Sequence, residues 1–346
     1  MEIYNSTPFT YLPFQSLDAH GAEHYTMVIR GAFKISPNGS LILLDKNTEE
    51  AKQEIILADT YYGDTATSSL HWPTDLVYFK PNSDIHIIGA RAYSPKKVQL
   101  PSWEVGVTVG TLSASLEVHG SRGWSFHKEK NEWRLTQSIP CNEIELKYEF
   151  AYGGTWDNGS FFDLNPIGRG CGGHENKEGV TILAPHITAV GEKPSKFGEL
   201  TTPIGFAPLP PSWPQRLQYA GTYDEDWEQE QHPLPPRDFK YDFYNSAHPD
   251  LIYPGYLNGG EKVVLHGFDP EEQITFKIPE YCLEVELIEK SGFGRKVPAV
   301  LDTLQIEIES KRVYLVWRIF VPYRQGFLGA NIELGENITN AINEEG

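Results

Sequence analysis

The stretch CLEVELIE, residues 282–289, alternates apolar and acidic side chains along most of its length. Leu283, Val285 and Leu287 are the apolar members, and Glu284 and Glu286 lie between them. Successive side chains of a β-strand point to opposite faces, so this alternation is typical of an antiparallel strand with one buried face and one solvated face. The stretch therefore predicts a half-buried strand.

The same period of two recurs on both sides of this stretch, and turn signals such as SPNGS (36–40) separate the runs. No βαβ alternation and no internal repeat is visible. We therefore expect a mainly β protein with two packed antiparallel β-units, sandwich-like or barrel-like, with long irregular Gly/Pro-rich loops and a few short helices. The other alternating runs are HYTMVIRGAFKI (24–35), DIHIIGARAY (84–93), SWEVGVTVG (102–110), ASLEVHG (114–120), EIELKYEFAY (143–152), EKVVLHGF (261–268), ITFKIP (274–279), TLQIEIE (303–309) and RVYLVWRIFVPY (312–323).

The runs divide the chain into three parts. Residues 1–155 form an N-terminal β-unit, 156–215 an irregular Gly/Pro-rich connection, and 216–346 a short helical stretch followed by a C-terminal β-unit. Within the third part, YDEDWEQEQHPLPP (223–236) is the best short helix, because its acidic residues come early and Pro233 marks its end. The tail, 329–346, has no clear pattern and is expected to be frayed or peripheral.

Composition narrows the class of protein. The 346 residues carry 29 Lys and Arg against 47 Asp and Glu, a formal charge of −18, so a nucleic-acid partner is not expected. The three cysteines outline neither a disulfide framework nor a CxxC metal site. The sequence shows no signal peptide and no apolar run long enough to span a membrane, so we expect a cytoplasmic protein with no membrane partner.

A glycine-rich stretch, YEFAYGGTWDNGSFFDLNPIGRGCGG (148–173), raises the question of a cofactor or metal site. Gly168, Gly170 and Gly173 have the GxGxxG spacing, but the strand before it and the helix after it, which a dinucleotide site needs, are missing. His20 and His24 have an i, i+4 spacing, but Gly21 and the strand that follows argue against a zinc-binding helix. We expect neither a cofactor nor a metal.

Two chemical interpretations of this stretch stay open. Asp157 and Asp163 flank two phenylalanines and, with Trp156, could line a sugar-binding cleft in which the carboxylates act as acid and base. Alternatively, aspartates in such turns cap their own backbone amides. Arg169 is expected to tie the loop to the sheet, with Asp157 or Asp163 as its natural partner, or to contact another protein.

Aromatic side chains are also concentrated in the preceding loop, DTYYGDTATSSLHWPTDLVYFK (59–80). They could anchor a partner protein, or they could pack over the sheet. The candidate anchors are Tyr61, Tyr62, Trp72, Tyr78 and Phe79.

The stretch also carries a family resemblance. The AYGG of 151–154 followed by the NPIGRG of 165–170 resembles the signature of the domain of unknown function 2169, and similar blocks follow in the family's order over roughly residues 3–322. Cys171 stands where the family often has an aromatic residue. The residues of the motif and its loop that we single out are Tyr152, Gly153, Gly154, Asp157, Asp163, Asn165, Pro166, Gly168, Arg169 and Gly170.

The resemblance implies a function as well as a family. Its members accompany bacterial type VI secretion effectors, which implies a non-catalytic cytoplasmic adaptor or chaperone that loads an effector, commonly one with a PAAR-type spike-tip domain, onto the VgrG spike. A second adaptor is a further expected partner. The resemblance supplies no catalytic residues. The alternative expectation is a carbohydrate-binding protein or hydrolase that uses Asp157, Asp163 and the loop aromatics.

Overall fold

The computed structural model describes residues 2–46, 48, 54–156, 158–171, 179, 181–192, 196–323 and 326–335. Strands dominate these ranges. In chain order they are β1 (Glu2–Asn5), β2 (Thr10–Leu17), β3 (Glu23–Ile35), β4 (Leu41–Leu43), β5 (Thr60–Tyr61), β6 (Leu70–Trp72), β7 (Ser83–Ile88), β8 (Arg91–Tyr93), β9 (Ser102–Val109), β10 (Leu112–His119), β11 (Gly123–His127), β12 (Glu132–Leu135), β13 (Glu143–Glu145), β14 (Tyr152–Gly153), β15 (Arg169–Gly170), β16 (Thr181–Leu183), β17 (Ile187–Thr188), β18 (Ile252–Tyr253), β19 (Lys262–His266), β20 (Ile274–Lys277), β21 (Leu283–Glu289), β22 (Gly294–Pro298), β23 (Val300–Glu307), β24 (Arg312–Pro322) and β25 (Phe327–Leu334).

Helices are short. Asp224 caps the helix Glu225–Glu230 by accepting a hydrogen bond from the Trp227 amide at 2.9 Å, as the acidic start of the predicted helix suggested. In the described residues the α-helices are α1 (Pro214–Leu217) and α2 (Glu225–Glu230), and the 3₁₀ turns are Pro95–Lys97, Lys128–Lys130, Tyr148–Phe150, Tyr241–Tyr244 and Pro249–Leu251.

The central sheet has seven strands in the order β18-β7-β23-β24-β3-β2, with β4 paired to β3. Its longest ladder joins β3 and β24 antiparallel, from Lys34 opposite Arg312 to His24 opposite Pro322. The N-terminal and C-terminal parts of the chain therefore both contribute strands to one sheet. The boundaries predicted at 155 and 216 divide the chain but not this sheet.

Two further sheets have the orders β17-β10-β9-β19-β20 and β1-β25-β21-β22. Most of their pairings are antiparallel, and no sheet closes into a barrel within the part of the chain described. The prediction of a mainly β, antiparallel fold is confirmed. Among the described residues, no helix is long and apolar enough to cross a membrane.

The inner face of the seven-stranded sheet is apolar. Met27 and Ile29 of β3 and Trp317 of β24 belong to one continuous core cluster with Val107 of β9 and Val285 of β21. The three large sheets therefore share a single core, which the period-two alternation of each strand supplies.

The outer face of the same sheet buries charges. Arg30 and Arg318 are 1% and 2% exposed, because a cover segment, residues 54–82, lies over them. Arg30 forms an ion pair with Asp75 of this segment at 3.1 Å. Arg318 pairs with Asp302 at 2.6 Å and donates to the carbonyls of Asp75 and Val77. Ionic contacts thus hold the cover segment on the sheet.

Two sequence predictions need correction. The strand predicted over 143–152 ends at Glu145, and of the remaining residues only Tyr152 is in a strand, the short β14. The Ser69 hydroxyl accepts a hydrogen bond from the Tyr148 amide at 3.0 Å, and the chain turns into a 3₁₀ helix there. The start of the tail is not frayed, since Phe327–Leu334 is a strand that pairs with both β21 and β1. Residues 336–346 lie outside the described range.

Candidate functional site

The loop that carries the family motif folds around one buried amide, that of Asn165. This side chain is 0% exposed, and its Nδ2 donates to the carbonyls of Tyr148 at 2.8 Å and Tyr152 at 2.9 Å. The Asn165 carbonyl accepts from the Gly154 amide at 2.9 Å. Both ends of the loop are therefore fastened at one residue, and we call residues 148–156 and 158–171 the motif corner.

Glycines let the backbone approach Asn165 this closely. A Cβ on Gly153 would lie 2.1 Å from the Asn165 carbonyl oxygen, and one on Gly168 would lie 2.4 Å from its Nδ2. Gly153, Gly154 and Gly170 also have positive φ, a backbone region that residues with side chains rarely adopt. The glycines of the motif are thus explained by packing, with no need for a phosphate ligand.

Arg169 closes the corner from the outside. Its amide donates to the Ala151 carbonyl at 2.9 Å, and β15 pairs in parallel with β14. Its Nε donates to the Glu149 carbonyl at 2.8 Å, and its guanidinium lies 4.4 Å from the centre of the Phe150 ring. Burial lowers the pKa of the Arg169 guanidinium, while the Glu149 carboxylate raises it. Arg169 thus ties the loop to the 3₁₀ turn that precedes it.

Glu149 continues this attachment into the cover segment. Its carboxylate accepts from the Ser69 amide at 2.9 Å and from the Ser69 hydroxyl. The neighbouring Tyr152 packs against Phe162 with 5.3 Å between ring centres, and burial raises the pKa of Tyr152 to about 12. The motif corner is therefore continuous with the rest of the packed structure.

The predicted carboxylate pair is only partly visible. Asp163 is exposed at the rim of the corner, and Pro166 is half-buried in the turn after Asn165. Asp157 lies outside the described residues, so the sugar-binding cleft stays a prediction. Arg169 contacts Glu149 and Phe150, whereas the structure gives no ion pair between Arg169 and Asp163. In the part of the chain that is described, no group of three or more His, Cys, Asp or Glu side chains is placed to hold a metal ion.

Three of the predicted aromatic anchors pack over sheet and loop. Tyr61 is half-buried in β5, where burial raises its pKa. Tyr62 accepts a hydrogen bond from the Gly89 amide at 2.9 Å and stacks on His71 at 4.2 Å. Trp72 meets Tyr314 edge-on at 5.3 Å. These rings therefore fasten the cover segment.

The other two anchors belong to a larger aromatic surface. Phe79 lies 5.3 Å from Tyr241 and 5.5 Å from Phe320 of β24, and Tyr78 lies 5.5 Å from Tyr244. All of these rings are half-buried, so each also presents area to solvent. We call this surface the aromatic face, and its members are Phe14, Tyr78, Phe79, Phe239, Tyr241, Phe243, Tyr244 and Phe320.

A buried polar network supports the aromatic face from beneath, and sequence reasoning missed it. Lys80 forms an ion pair with Asp84 at 2.8 Å, and the Asp84 carboxylate also accepts from the amide of Ser246 and the side chain of Asn245. Ser246 Oγ lies 3.1 Å from His86 Nε2. The network thus joins β7 to the segment that carries Tyr241 and Tyr244. The available signal was the polar pair Asp84 and His86 inside an otherwise apolar run.

The electrostatics of the network follow from its burial. Desolvation would raise the pKa of Asp84, but Lys80 and the hydrogen bonds outweigh it and lower the pKa to about 2. Burial lowers the pKa of His86 to about 3, despite the opposing charge of Asp84. Asp84 and Ser246 both face the same ring nitrogen of His86, which is not the relay geometry of a nucleophilic triad. The network is a structural support.

Comparison with known proteins gives one match. No curated protein and no solved structure is similar enough to the chain to match it. A bacterial family described as "Uncharacterized protein conserved in bacteria (DUF2169)" matches over residues 20–318. This range contains the motif corner, the buried network and six of the eight rings of the aromatic face. The chain therefore belongs to the DUF2169 family.

Proposed function

We propose that the protein is a non-catalytic adaptor that binds a type VI secretion effector, or its PAAR-type spike-tip domain, and helps to load it onto the VgrG spike. The resemblance of the AYGG and NPIGRG motifs supplies the biological setting of this proposal. The observation that carries the binding role is the aromatic face.

Eight rings from four separate chain segments meet on this surface, and none of them is fully buried. Aromatic side chains that are already packed against one another lose little conformational entropy when a partner covers them. Contiguous apolar surface of this kind marks interaction sites on proteins. A rigid, half-exposed aromatic cluster is therefore suited to gripping another polypeptide.

The motif corner supports the non-catalytic part of the proposal. Its buried amide and its arginine make hydrogen bonds to backbone carbonyls of the same loop. Groups engaged in this way are occupied in holding structure and are poorly placed to act on a substrate. In this proposal the family motif builds the scaffold, and the aromatic face contacts the effector.

Co-expression with an effector encoded beside this protein tests the proposal. We expect the effector to be more soluble and better secreted with the protein than without it. If solubility and secretion are the same in both cases, the adaptor function is wrong.

Single substitutions then locate the contact. Phe79→Ala and Tyr241→Ala should each weaken effector binding by roughly 2 kcal/mol, about thirtyfold in Kd, as expected for interface hot spots. Phe293→Ala is the matched control, because Phe293 is 65% exposed and lies outside the aromatic face. Thermal unfolding of each variant separates lost contact from lost fold. Unchanged affinity in both face variants would show that the effector binds elsewhere.

A further inference from the structure

An open groove of about 890 Å³ lies beside β20, the last strand of the five-stranded sheet. Residues 34–39, from the end of β3 and the turn after it, form one wall, and residues 272–277 form the other. Ile274 and Phe276 are buried in the core, while Thr275 and Lys277 alternate with them toward the outside. The groove therefore runs along the outer strand of a sheet.

β20 is an edge strand. It pairs with β19 on one side, and no other strand of the described chain pairs with it on the other side. The turn after β3 covers this edge at Thr275, since a Cβ on Gly39 would lie 2.6 Å from the Thr275 carbonyl oxygen. A loop that covers an edge in this way blocks the addition of another strand. The groove therefore offers space and exposed side chains.

The charge of this groove is opposite to that of the protein. Four lysines line it, against one acidic residue, Glu272, although the chain as a whole has a formal charge of −18. All four lysines are exposed. Such a local concentration of cations attracts carboxylates and repels other basic groups. The lysines are Lys34, Lys262, Lys277 and Lys311.

Two of these lysines repel each other across the sheet. Lys262 and Lys277 stand directly opposite each other in the β19–β20 ladder, and like charges in that position destabilise a sheet. Lys277 is partly neutralised by Glu280 at 2.7 Å, and Lys311 by Asp269 at 3.6 Å. Lys34 and Lys262 form no ion pair with any residue that the structure describes. A bound anion would relieve the repulsion.

We propose that this groove binds an acidic, extended peptide segment of a partner protein. The segment lies along the groove and places its carboxylates against Lys34 and Lys262. This site shares no residue with the aromatic face. It does not depend on the effector function, so the two proposals can fail separately.

The test uses the full chain and a fluorescent peptide of about eight residues that alternates Glu and Val, a length typical of a strand. Fluorescence anisotropy should show saturable binding that weakens as NaCl is raised, because salt screens exposed charge pairs. The peptide with Gln in place of Glu should bind far less.

Variants of the protein make the test specific. Lys34→Glu combined with Lys262→Glu should weaken binding by on the order of tenfold or more, since each exposed pair contributes up to about 1 kcal/mol. Lys128→Glu combined with Lys130→Glu makes the same change in net charge on exposed lysines that do not line the groove. This control should leave the affinity nearly unchanged. Hydrogen exchange of the amides of residues 272–277 should slow when the acidic peptide binds.

Several outcomes would overturn the proposal. The absence of saturable binding would leave the lysines as charges that only protect the sheet edge from unwanted pairing. Equal affinity for the Gln peptide would show that charge does not drive binding. Competition by single-stranded oligothymidylate as strong as that by the acidic peptide would show a general polyanion site.

Discussion

The motif corner and the lysine-lined groove differ in whether their polar groups have partners within the protein. In the corner, the Asn165 amide and the Arg169 guanidinium donate to carbonyls of neighbouring turns. In the groove, Lys34 and Lys262 have no ion-pair partner among the described residues. The donors of the corner are thus paired within the fold, whereas these two cations of the groove are not. The residues of the family motif therefore hold the corner together.

The largest effect is expected for Asp84→Asn, which removes the carboxylate that pairs with Lys80 in the buried network. Lys80 would remain as a buried cation without its carboxylate, and we expect a loss of about 3–5 kcal/mol in the free energy of unfolding. Urea denaturation measures it. Glu132→Gln is the control, because Glu132 pairs with Arg134 at an exposed site and should contribute too little to resolve. A small loss in the Asp84 variant would mean that Lys80 finds another partner or loses its proton.

The buried histidines predict the pH dependence of stability. Burial lowers the pKa of His86 to about 3 and that of His119 to about 4, so in the folded protein both are neutral at pH 5. In the unfolded chain they bind protons below about pH 6.5, so stability falls as pH drops below that value, by up to about 1.4 kcal/mol per pH unit for each group. The thermal midpoint between pH 7.5 and 5 measures this slope.

Two variants show how much of this pH dependence of stability comes from His86. His86→Asn should flatten it by about one proton, whereas His266→Asn should not change it comparably, because His266 is exposed on β19. Equal slopes in the His86→Asn variant and the unmodified protein would show that His86 is not held neutral in the fold.

Asn165→Ala tests the corner itself. The Tyr152 carbonyl would lose its donor and the Tyr148 carbonyl would keep only the Ala151 amide, so we expect a loss of about 2–3 kcal/mol in the free energy of unfolding. Asn158→Ala is the control in the same loop, since its side chain is exposed and, among the described residues, accepts from Ser160 in its own turn. If both variants lose the same small amount, the corner is not a fixed unit, and the contrast with the groove fails.

Arg169→Ala should have the smallest effect. Among the described residues, it removes one hydrogen bond and one cation–π contact of a half-buried side chain, so we expect a loss of about 1 kcal/mol in stability with unchanged effector affinity. Calorimetry of unfolding and a binding assay on the same variant measure the two quantities. Unchanged stability together with lost binding would make Arg169 a partner contact and would break the comparison.

Strands were the most predictable part of the fold, because alternation is a local property. CLEVELIE gives Leu283–Glu289 with Leu283, Val285 and Leu287 buried. EIELKYEFAY has the same alternation, but its strand ends at Glu145. The reason is that Ser69 forms hydrogen bonds with the Tyr148 amide and the Glu149 carboxylate. A hydrogen-bond partner this distant in sequence cannot be recognised from the pattern of residues 143–152 alone.

The site was predictable in its residues but not in its contacts. The motifs located the loop and singled out Arg169, yet its described contacts are the Glu149 carbonyl and the Phe150 ring, and Asp163 is not among them. The aromatic face was half predicted, since Tyr78 and Phe79 were candidates while Tyr241 and Phe320, distant in sequence, were not. Long-range packing decides which rings meet.

The sequence by itself determined that this is a mainly β member of its family, because side-chain period and motif spacing are properties of neighbouring residues. Only the tertiary structure decided that Arg30, Lys80 and Arg318 are buried with carboxylates, and that four lysines from separate segments line one groove. The physical reason is that burial and charge pairing depend on which segments approach one another. That approach is set by the packing of the whole sheet.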